Sequence, residues 1–383
     1  MRRTVFDHDH ETFRSTVRDL LAREVVPVFP EWEKAGAAPR DFYRLLGKVG
    51  ILGMQVPEEY GGGGRRSFTF NAVVNEELAH AKLGLGPIRV HNDIVLPYLL
   101  RYADDEQKRR WLPGVASGES MTAIAMTEPG TGSDLAGITT TAVRDGDRYI
   151  LNGAKTFITG AVNADLVLVV ARTAPLRQDD RRAGLSILVV ETAAEGFTVG
   201  RNLEKIGLKA QDTAELAFAD VVVPAGNLLG EEGRAFEYLR GNLAQERLSI
   251  AVNAQAAAAT ALELTVGYVK ERDVFGEPLS GFQNTKFVLA ECATDVEAGQ
   301  TLVDRALVEH DAGGLSAADA AKVKLFCTEL QSRVVDKCLQ LHGGYGYVLE
   351  YPIARLYADA RVTRIYGGTS EVMKSIIAKS LAL

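Results

Sequence analysis

Four carboxylates lie in stretches of the sequence whose composition is suited to chemistry: Glu128, Glu246, Glu350 and Glu371. A carboxylate can remove a proton from carbon when it faces the substrate in a water-poor site that raises its pKa. Each also has an ordinary structural interpretation, because glutamates beside arginines usually form exposed ion pairs. For Glu246, followed by Arg247 in "LAQERLSIA", the immediate neighbours alone favour that ordinary interpretation.

Three glycine-rich stretches are candidates for holding a ligand. The stretch "AMTEPGTGSDLAG" at 125–137 combines glycine with hydroxyl side chains. Such a loop exposes N–H groups to a phosphate or to the edge of a flavin ring, but it is also an ordinary polar loop. The glycine pair in "QLHGGYGY", from 340, is typical of a helix C-cap. In "RDVFGEPLSGFQ", at 272–283, an arginine and a phenylalanine lead into a turn.

The hydrophobic period divides the chain into three segments that would position these stretches. Residues 1–120 follow a helical period. Residues 121–228 contain short Val-, Ile- and Leu-rich runs that predict an antiparallel β-domain, with the polar stretch 173–184 as an exposed hairpin loop. Residues 229–383 return to long helical patterns, in which Ser316 is an expected N-cap. The predicted fold class is therefore α+β, with a helical, a β and a helical domain in that order.

The composition excludes several classes of function. The 383 residues are 46% hydrophobic and 24% charged, which is ordinary for a globular protein with a large core. The formal net charge is −7, without the basic cluster that nucleic-acid binding requires. No apolar run reaches the roughly 18 residues of a membrane span, and the N-terminus lacks the apolar core of a signal peptide. We expect a cytoplasmic protein that binds neither membrane nor nucleic acid.

The cysteines and histidines form no ligand pattern. Cys292, Cys327 and Cys338 have no disulfide or zinc spacing and fall in helical segments, so we interpret them as packed thiols. The 6 histidines form no cluster either. We therefore expect no metal site.

Taken together, the motifs resemble the acyl-CoA dehydrogenase family, closest to its long-chain and isovaleryl-type members. Thr-Glu-Pro-x-x-Gly-Ser-Asp occurs at 127–134, and Gln-x-x-Gly-Gly-x-Gly occurs at 340–346, followed by Glu350, Arg355 and Asp359. "NGAKTFITG", "RDVFG" and "IYGGTSE" fit as well, so the similarity covers essentially the whole chain. It implies an N-terminal helical domain, a central antiparallel β-domain, a C-terminal four-helix bundle, one FAD per subunit and a homotetramer built as a dimer of dimers.

The resemblance assigns FAD-binding residues to the flavin half of the cofactor, to its ADP half and to one further pair. The residues implied for the flavin half are Met126, Thr127, Gly132, Ser133, Phe157 and Thr159, with Phe157 where a tryptophan is common. Those implied for the ADP half are Arg272, Phe275 and Gln283, reaching across a subunit boundary, and Gln340, Gly343 and Gly344. Thr369 and Glu371 complete the cofactor set after a strand-like piece, "RIY". Thr369 is equally interpreted as the N-cap of the last helix, and both roles can hold together.

The same resemblance raises the question of the catalytic base. Many members carry a glutamate where this chain has Gly367, which has no side chain to take a proton. Long-chain and isovaleryl-type members resemble this sequence at Glu246, with a glutamate followed by arginine on a long helix. On that resemblance Glu246 is the base, buried beside the acyl chain. The residues implied for substrate binding are Ser133, Arg247, Tyr366 and Gly367.

The other carboxylates fit different roles. The family places the position of Glu371 toward the adenine. Glu128 is expected to orient backbone in its turn, and Glu350 to pair with an arginine.

The implied function is FAD-dependent dehydrogenation of an acyl-CoA thioester to the trans-2-enoyl-CoA, with fatty-acid β-oxidation as its setting. Glu246 would remove the α-proton, flavin N5 would take the β-hydride, and an electron-transferring flavoprotein would receive the electrons. The alternatives on this fold are a flavin oxidase or monooxygenase, and a dehydrogenase acting on acyl carrier protein. A non-catalytic acyl-CoA-binding protein is a further alternative, which the intact flavin motifs oppose. The acyl chain length stays open, although Gly367 leaves space suited to long or branched chains.

Overall fold

The computed structural model describes residues 1–177 and 179–383. Gln178, within the predicted loop at 173–184, lies outside the described residues. Helices form the N-terminal part of the chain. A π-helical segment at Leu21–Val25 continues the first helix, and another at Val90–Val95 joins the fifth helix to the sixth. The helix bounds are α1 His8–Leu20, α2 Phe29–Ala35, α3 Arg40–Lys48, α4 Thr69–His80, α5 Gly86–Arg89, α6 Leu96–Tyr102 and α7 Asp105–Ser117.

The middle of the chain forms one twisted sheet. Its strands are β1 Thr122–Ala125, β2 Thr141–Asp145, β3 Arg148–Thr159, β4 Leu166–Arg172, β5 Leu185–Glu191, β6 Phe197–Asn202, β7 Thr213–Pro224 and β8 Leu228–Leu229. The order is β6-β7-β3-β2-β4-β5-β8, with β1 also paired to β4. Most pairs are antiparallel as predicted, but β1 runs parallel to β4, and β2 meets β4 in parallel at Thr141 and Arg172. Since β1 enters from the helical part and not through a hairpin, its direction is not fixed by a tight turn.

Long helices form the C-terminal part. The bounds are α8 Ala235–Glu271, α9 Gln283–Asp311, α10 Ala317–His342, α11 Pro352–Ala360 and α12 Ser370–Ser380, with a small hairpin of β9 Asp273–Val274 and β10 Glu277–Pro278. The predicted N-cap is confirmed, because the Ser316 hydroxyl accepts a hydrogen bond from the Asp319 N–H at 3.1 Å. Small residues on α8 such as Ala254, Ala258 and Ala261 are buried and allow close approach of α10. The predicted helix–β–helix fold is confirmed.

The strand-like interpretation of "RIY" is wrong. Arg361–Arg364 is a 3₁₀ helix, and the chain then turns at Gly367 and Gly368, whose φ angles are +65° and +94°. Left-handed backbone of this kind favours glycine, and it overrides the local apolar pattern of Ile365 and Tyr366. Thr369 caps α12 by accepting from the Val372 N–H at 3.3 Å. Residues 367–368 are called the glycine turn below.

The first turns of α8 join the N-terminal helices to the sheet. Tyr238 and Leu239 lie in the same buried cluster as Leu99 and Trp111 of the helical part and Ile187 of the sheet. This junction fixes the direction of α8 and therefore the position of Glu246, two turns further along. In residues 1–177 and 179–383, no helix is long and apolar enough to span a membrane.

Candidate active site

Glu246 is a buried carboxylate on α8 at the wall of a cleft of about 660 Å³. Only 8% of the residue is exposed, which excludes the interpretation of Glu246 as a surface ion pair. Burial raises the pKa of Glu246, and the positive charges of Arg247 and Lys324 partly offset this effect. Within the described part of the chain, the carboxylate accepts no hydrogen bond. It is therefore both desolvated and free to take a proton.

The glycine turn meets Glu246 across the cleft. A Cβ built on Gly367 would lie 3.5 Å from Oε1 of Glu246 and 2.3 Å from Cδ1 of Ile250. A side chain at position 367 would therefore begin where the Glu246 carboxylate ends. Ile250, one helical turn beyond Glu246 on α8, occupies the remaining space.

The loop after β1 forms the opposite wall of the cleft. The predicted residues that line it together with Glu246 are Met126, Thr127, Gly132, Ser133, Arg247 and Gly367. Phe157 lies beside this loop, because the neighbouring Thr156 N–H donates to the Thr127 carbonyl at 2.9 Å. Phe157 stands in a register shift of β3 with a φ of +61° and is 65% exposed.

A buried ion pair fixes that loop to the sheet, as sequence reasoning did not foresee. The Lys155 ammonium donates to the Glu128 carboxylate at 2.9 Å and to the Met126 carbonyl at 3.0 Å. Glu128 also accepts from the backbone N–H groups of Thr139 and Thr140, which confirms its expected backbone-orienting role. Burial opposes the charge on Glu128, but these hydrogen bonds and Lys155 lower its pKa to about 2. Burial lowers the pKa of Lys155 to about 8.

These features fit a flat aromatic ligand such as a flavin. An exposed phenylalanine held in left-handed backbone offers a ring face that the protein itself does not cover. A Cβ on Gly132 would meet only Thr127 Cγ2, at 3.7 Å, so the loop leaves room for a ligand. Thr159 closes the same strand and accepts a hydrogen bond from Gln211 at 3.3 Å.

The residues predicted for the ADP half lie elsewhere, away from the cleft. Arg272 follows the end of α8, and its guanidinium lies 5.6 Å from the Tyr345 ring that follows the Gly343–Gly344 pair. The structure therefore brings the two predicted ADP elements together within one chain. Phe275 is 99% exposed, and a Cβ on Gly343 or Gly344 would meet nothing within 4 Å. Gln283 and Gln340 are exposed at the same end of the helices.

The remaining predicted residues surround the glycine turn. Arg247 is buried, and its Nε lies 3.5 Å from the Gly367 carbonyl oxygen. Tyr366 does not line the cleft; its hydroxyl accepts from Arg89 at 3.2 Å on the other side of the turn. Glu371 is exposed on the first turn of α12.

Two buried lysines and one loop arginine near the cleft were not predicted from the sequence. Lys155 falls on the inward-facing positions of β3, in step with buried Tyr149 and Leu151, and Lys324 falls on the buried face of α10. A lysine at an apolar position of the period is the signal that marks both. The predicted loop at 173–184 also borders the cleft, since Arg181 lines it and pairs with Asp134 at 2.8 Å.

The three cysteines lie in the long helices α9 and α10. All three cysteines are buried, as packed thiols should be. Among the described residues, no group of His, Cys, Asp or Glu is arranged to hold a metal ion.

Comparisons with known proteins cover the whole chain. Models of the N-terminal, middle and C-terminal domains of acyl-CoA dehydrogenase match residues 7–119, 123–221 and 233–382. The chain is 45% identical to the mitochondrial long-chain specific acyl-CoA dehydrogenase of Sus scrofa, over 99% of this chain and 88% of that protein.

Solved structures of acyl-CoA dehydrogenases share the fold of the whole chain. An acyl-CoA dehydrogenase from Geobacillus kaustophilus superposes with a TM-score of 0.98 at 50% identity, over 100% of both chains. A glutaryl-CoA dehydrogenase from Mycobacterium smegmatis, solved in complex with FADH2, superposes with a TM-score of 0.91 at 31% identity, over 98% of this chain and 95% of that one.

Proposed function

The chain belongs to the acyl-CoA dehydrogenase family of FAD-dependent oxidoreductases, and from this premise we propose that it dehydrogenates an acyl-CoA thioester with Glu246 as the base. The observation that supports this most is the convergence of two positions. The Glu246 carboxylate lies 3.5 Å from the point where a side chain on Gly367 would begin. A base on α8 can therefore serve the same part of the cleft as a base on the glycine turn.

The surroundings of Glu246 suit removal of an α-proton. Burial raises its pKa, so the carboxylate is a stronger base than an exposed glutamate. The positive charges of Arg247 and Lys324 partly offset this rise and so favour the anion before the reaction. When the acyl group fills the cleft, it excludes water and leaves the α-hydrogen facing the carboxylate. The proton then moves to Oε of Glu246, and the electron pair stays on the thioester.

The glycine turn offers donors for the thioester oxygen as negative charge develops on it. Among the described residues, the N–H groups of Gly367 and Gly368 donate to no protein acceptor. A free backbone N–H beside a reacting carbonyl is the usual element of an oxyanion site. We assign the thioester oxygen to this turn.

Two sets of residues would hold FAD. The loop from Met126 to Ser133, with Phe157 and Thr159, would hold the flavin half, and the exposed Phe157 face supports this. The residues proposed for the ADP half are Arg272, Phe275, Gln283, Gln340, Gly343 and Gly344, with Thr369 and Glu371 near the turn. When bound, FAD supplies the oxidising chemistry by accepting the β-hydrogen as hydride.

The other parts of the proposal concern partners. An electron-transferring flavoprotein is the proposed acceptor of the electrons. A homotetramer is the proposed assembly, and exposed apolar side chains near the ADP-site residues support it: Phe275, Phe287, Tyr347 and Leu349 are 99%, 60%, 90% and 66% exposed. Sedimentation velocity tests the assembly.

Anaerobic titration of the bound flavin with straight, branched and aromatic acyl-CoA thioesters tests the activity. Loss of flavin absorbance with one of these classes is the expected result, and it identifies the acyl group. Thioesters of acyl carrier protein form a parallel series. An oxidase or monooxygenase would show rapid reaction of the reduced flavin with oxygen, whereas slow reoxidation is expected of a dehydrogenase. Absence of bleaching by every thioester would contradict the proposal.

A further inference from the structure

Lys324 is a buried lysine on α10 with its side chain directed at the glycine turn. The residue is 0% exposed, and its ammonium donates to the Gly368 carbonyl at 2.8 Å. Burying an ammonium group is costly unless the group is paired and hydrogen-bonded. A hydrophobic residue would fill this position of the helix at lower cost, so its presence calls for a functional reason.

Helix α10 supports the whole segment that leads into the turn. Glu329 accepts from Arg364 at 3.1 Å and from Ser370 at 2.6 Å, which places one contact before the turn and one after it. Gln331 accepts from the Thr363 hydroxyl at 2.9 Å. Lys324 is the contact to the turn itself. The free N–H groups of the glycine turn are therefore oriented from α10.

The charges around Lys324 come from three helices. Glu246 and Arg247 face it from α8, Glu329 lies on α10 itself, and Glu371 lies on α12. Burial and the repulsion from Arg247 lower the pKa of Lys324 to about 8, against the opposing effect of the three glutamates. Lys324 is therefore mostly charged at neutral pH, and its charge favours the anionic form of Glu246.

We propose that Lys324 is a positioning residue for α-proton removal: its ammonium holds the glycine turn on α10, and its charge favours the anionic form of the Glu246 carboxylate. This inference rests on the proposed function and deepens it. The proton transfer that Lys324 assists breaks the α-carbon–hydrogen bond and forms an O–H bond on Glu246. The electron pair stays on the thioester as an enolate, and no oxidant is needed for this step.

A purely structural lysine would differ from a positioning lysine in the pH dependence of proton removal. The probe is a 3-thia-acyl-CoA thioester added to the FAD-loaded protein. Its α-proton is acidic and it cannot lose a β-hydride, so the enolate accumulates against the oxidised flavin and gives a long-wavelength absorbance band. The proton that leaves the α-carbon moves to Glu246, so the pH midpoint of that band reports the loss of one proton from the Glu246–thioester pair without turnover.

The variants are Lys324→Met, which removes the charge and the donor, and Lys324→Gln, which keeps a donor without the charge. Lys324→Arg keeps the charge, and Lys322→Met, at the exposed and Asp319-paired lysine of the same helix, is the matched control. We expect the midpoint to move up by about one pH unit in the Met and Gln variants, a tenfold change in the ionisation equilibrium. The Arg and Lys322→Met variants should keep the wild-type midpoint.

Two outcomes would overturn the assignment. One is an unchanged midpoint in Lys324→Met, or in Lys324→Gln if the Met variant does not fold, because loss of stability alone does not move this midpoint. The other is an equal shift in Lys322→Met, which would show a general charge effect. Wild-type protein that gives neither a band nor bleaching with any thioester would instead overturn the proposed function, and the inference with it.

Discussion

Moving the base from α8 to the glycine turn is the perturbation that the geometry constrains most closely. In the variant Glu246→Gly with Gly367→Glu, the carboxylate would start from the turn and approach the same part of the cleft. The Cβ of the new residue would meet Ile250 Cδ1 at 2.3 Å, whereas ordinary contacts begin at 3.4 Å. Either the end of the Ile250 side chain or the turn must therefore move by about 1 Å. A turn that moves this far carries the new carboxylate with it, which can cost about 10²-fold in rate at a reacting centre.

The strain has two parts that can be separated. Left-handed backbone at a residue other than glycine costs about 1–2 kcal/mol, and position 367 has a φ of +65°. The clash with Ile250 adds an overpacking cost of about 1–3 kcal/mol. Ile250→Val deletes only the clashing methyl group, so it should remove the second part and leave the first.

Anaerobic stopped-flow reduction of the bound flavin by a saturating acyl-CoA measures the outcome. Glu246→Gly alone should lower the rate by about 10²–10⁴-fold. Adding Gly367→Glu should restore a small part, and adding Ile250→Val to that pair should restore up to about 10²-fold more. Thermal midpoints of the same variants should show stabilising coupling between Ile250→Val and Gly367→Glu, while Ile250→Val in wild type should destabilise slightly.

Equal rates with and without Ile250→Val, together with additive thermal midpoints, would refute the reasoning about the direction of the Gly367 Cβ. Near-wild-type flavin reduction by Glu246→Gly would refute the position of the base. The two failures are distinguishable because the second appears before position 367 is altered.

Three further substitutions test the buried ion pair, the flavin contact and the burial of Glu246. Lys155→Met leaves the Glu128 carboxylate buried without its partner, so it should lower the free energy of unfolding by about 3–5 kcal/mol. Flavin fluorescence should then show release of FAD at a lower temperature. Adding Glu128→Leu should recover part of the loss, and no recovery would contradict the pairing. Phe157→Ala, at an exposed side chain, should weaken FAD retention in equilibrium dialysis and shift the apoprotein's stability by less than about 0.5 kcal/mol, and unchanged retention would contradict the flavin contact. Burial raises the pKa of Glu246, so its contribution to stability is full below the unfolded pKa of 4.5 and is lost as pH rises through the folded pKa. The thermal midpoint of Glu246→Gln should therefore rise relative to that of the wild type as pH increases through this range. A difference between the two midpoints that is independent of pH would contradict the burial of the charge.

The sequence predicts what depends on local pattern and on agreement between motifs. The caps at Ser316 and Thr369 follow from residue type and position alone, and the structure confirms both. The burial of Glu246 follows from the vacancy at Gly367 taken with the resemblance. Local pattern failed at "RIY", where positive φ at two glycines produces a turn.

What could not be predicted depends on contacts between distant parts of the chain. The partner of Lys324 lies 44 residues away and the partner of Lys155 lies 27 residues away, so neither pairing has a local signal. The parallel pairing of β1 with β4 likewise depends on how the helical part delivers β1 to the sheet. The obstruction at Gly367 comes from one methyl group of Ile250, whose position depends on how α8 packs against the glycine turn.

Glu246 is the proposed base for the α-proton, and one conservative substitution separates this role from all others. Glu246→Gln keeps the size of the side chain and removes its basicity, while Glu237→Gln, at an exposed glutamate on the same helix, is the matched control. The measurement is the rate of anaerobic flavin bleaching under a saturating acyl-CoA that reduces the wild-type protein. We expect the rate to fall by about 10²–10⁴-fold in Glu246→Gln, with no change in the control. Bleaching by Glu246→Gln at a near-wild-type rate would contradict this role.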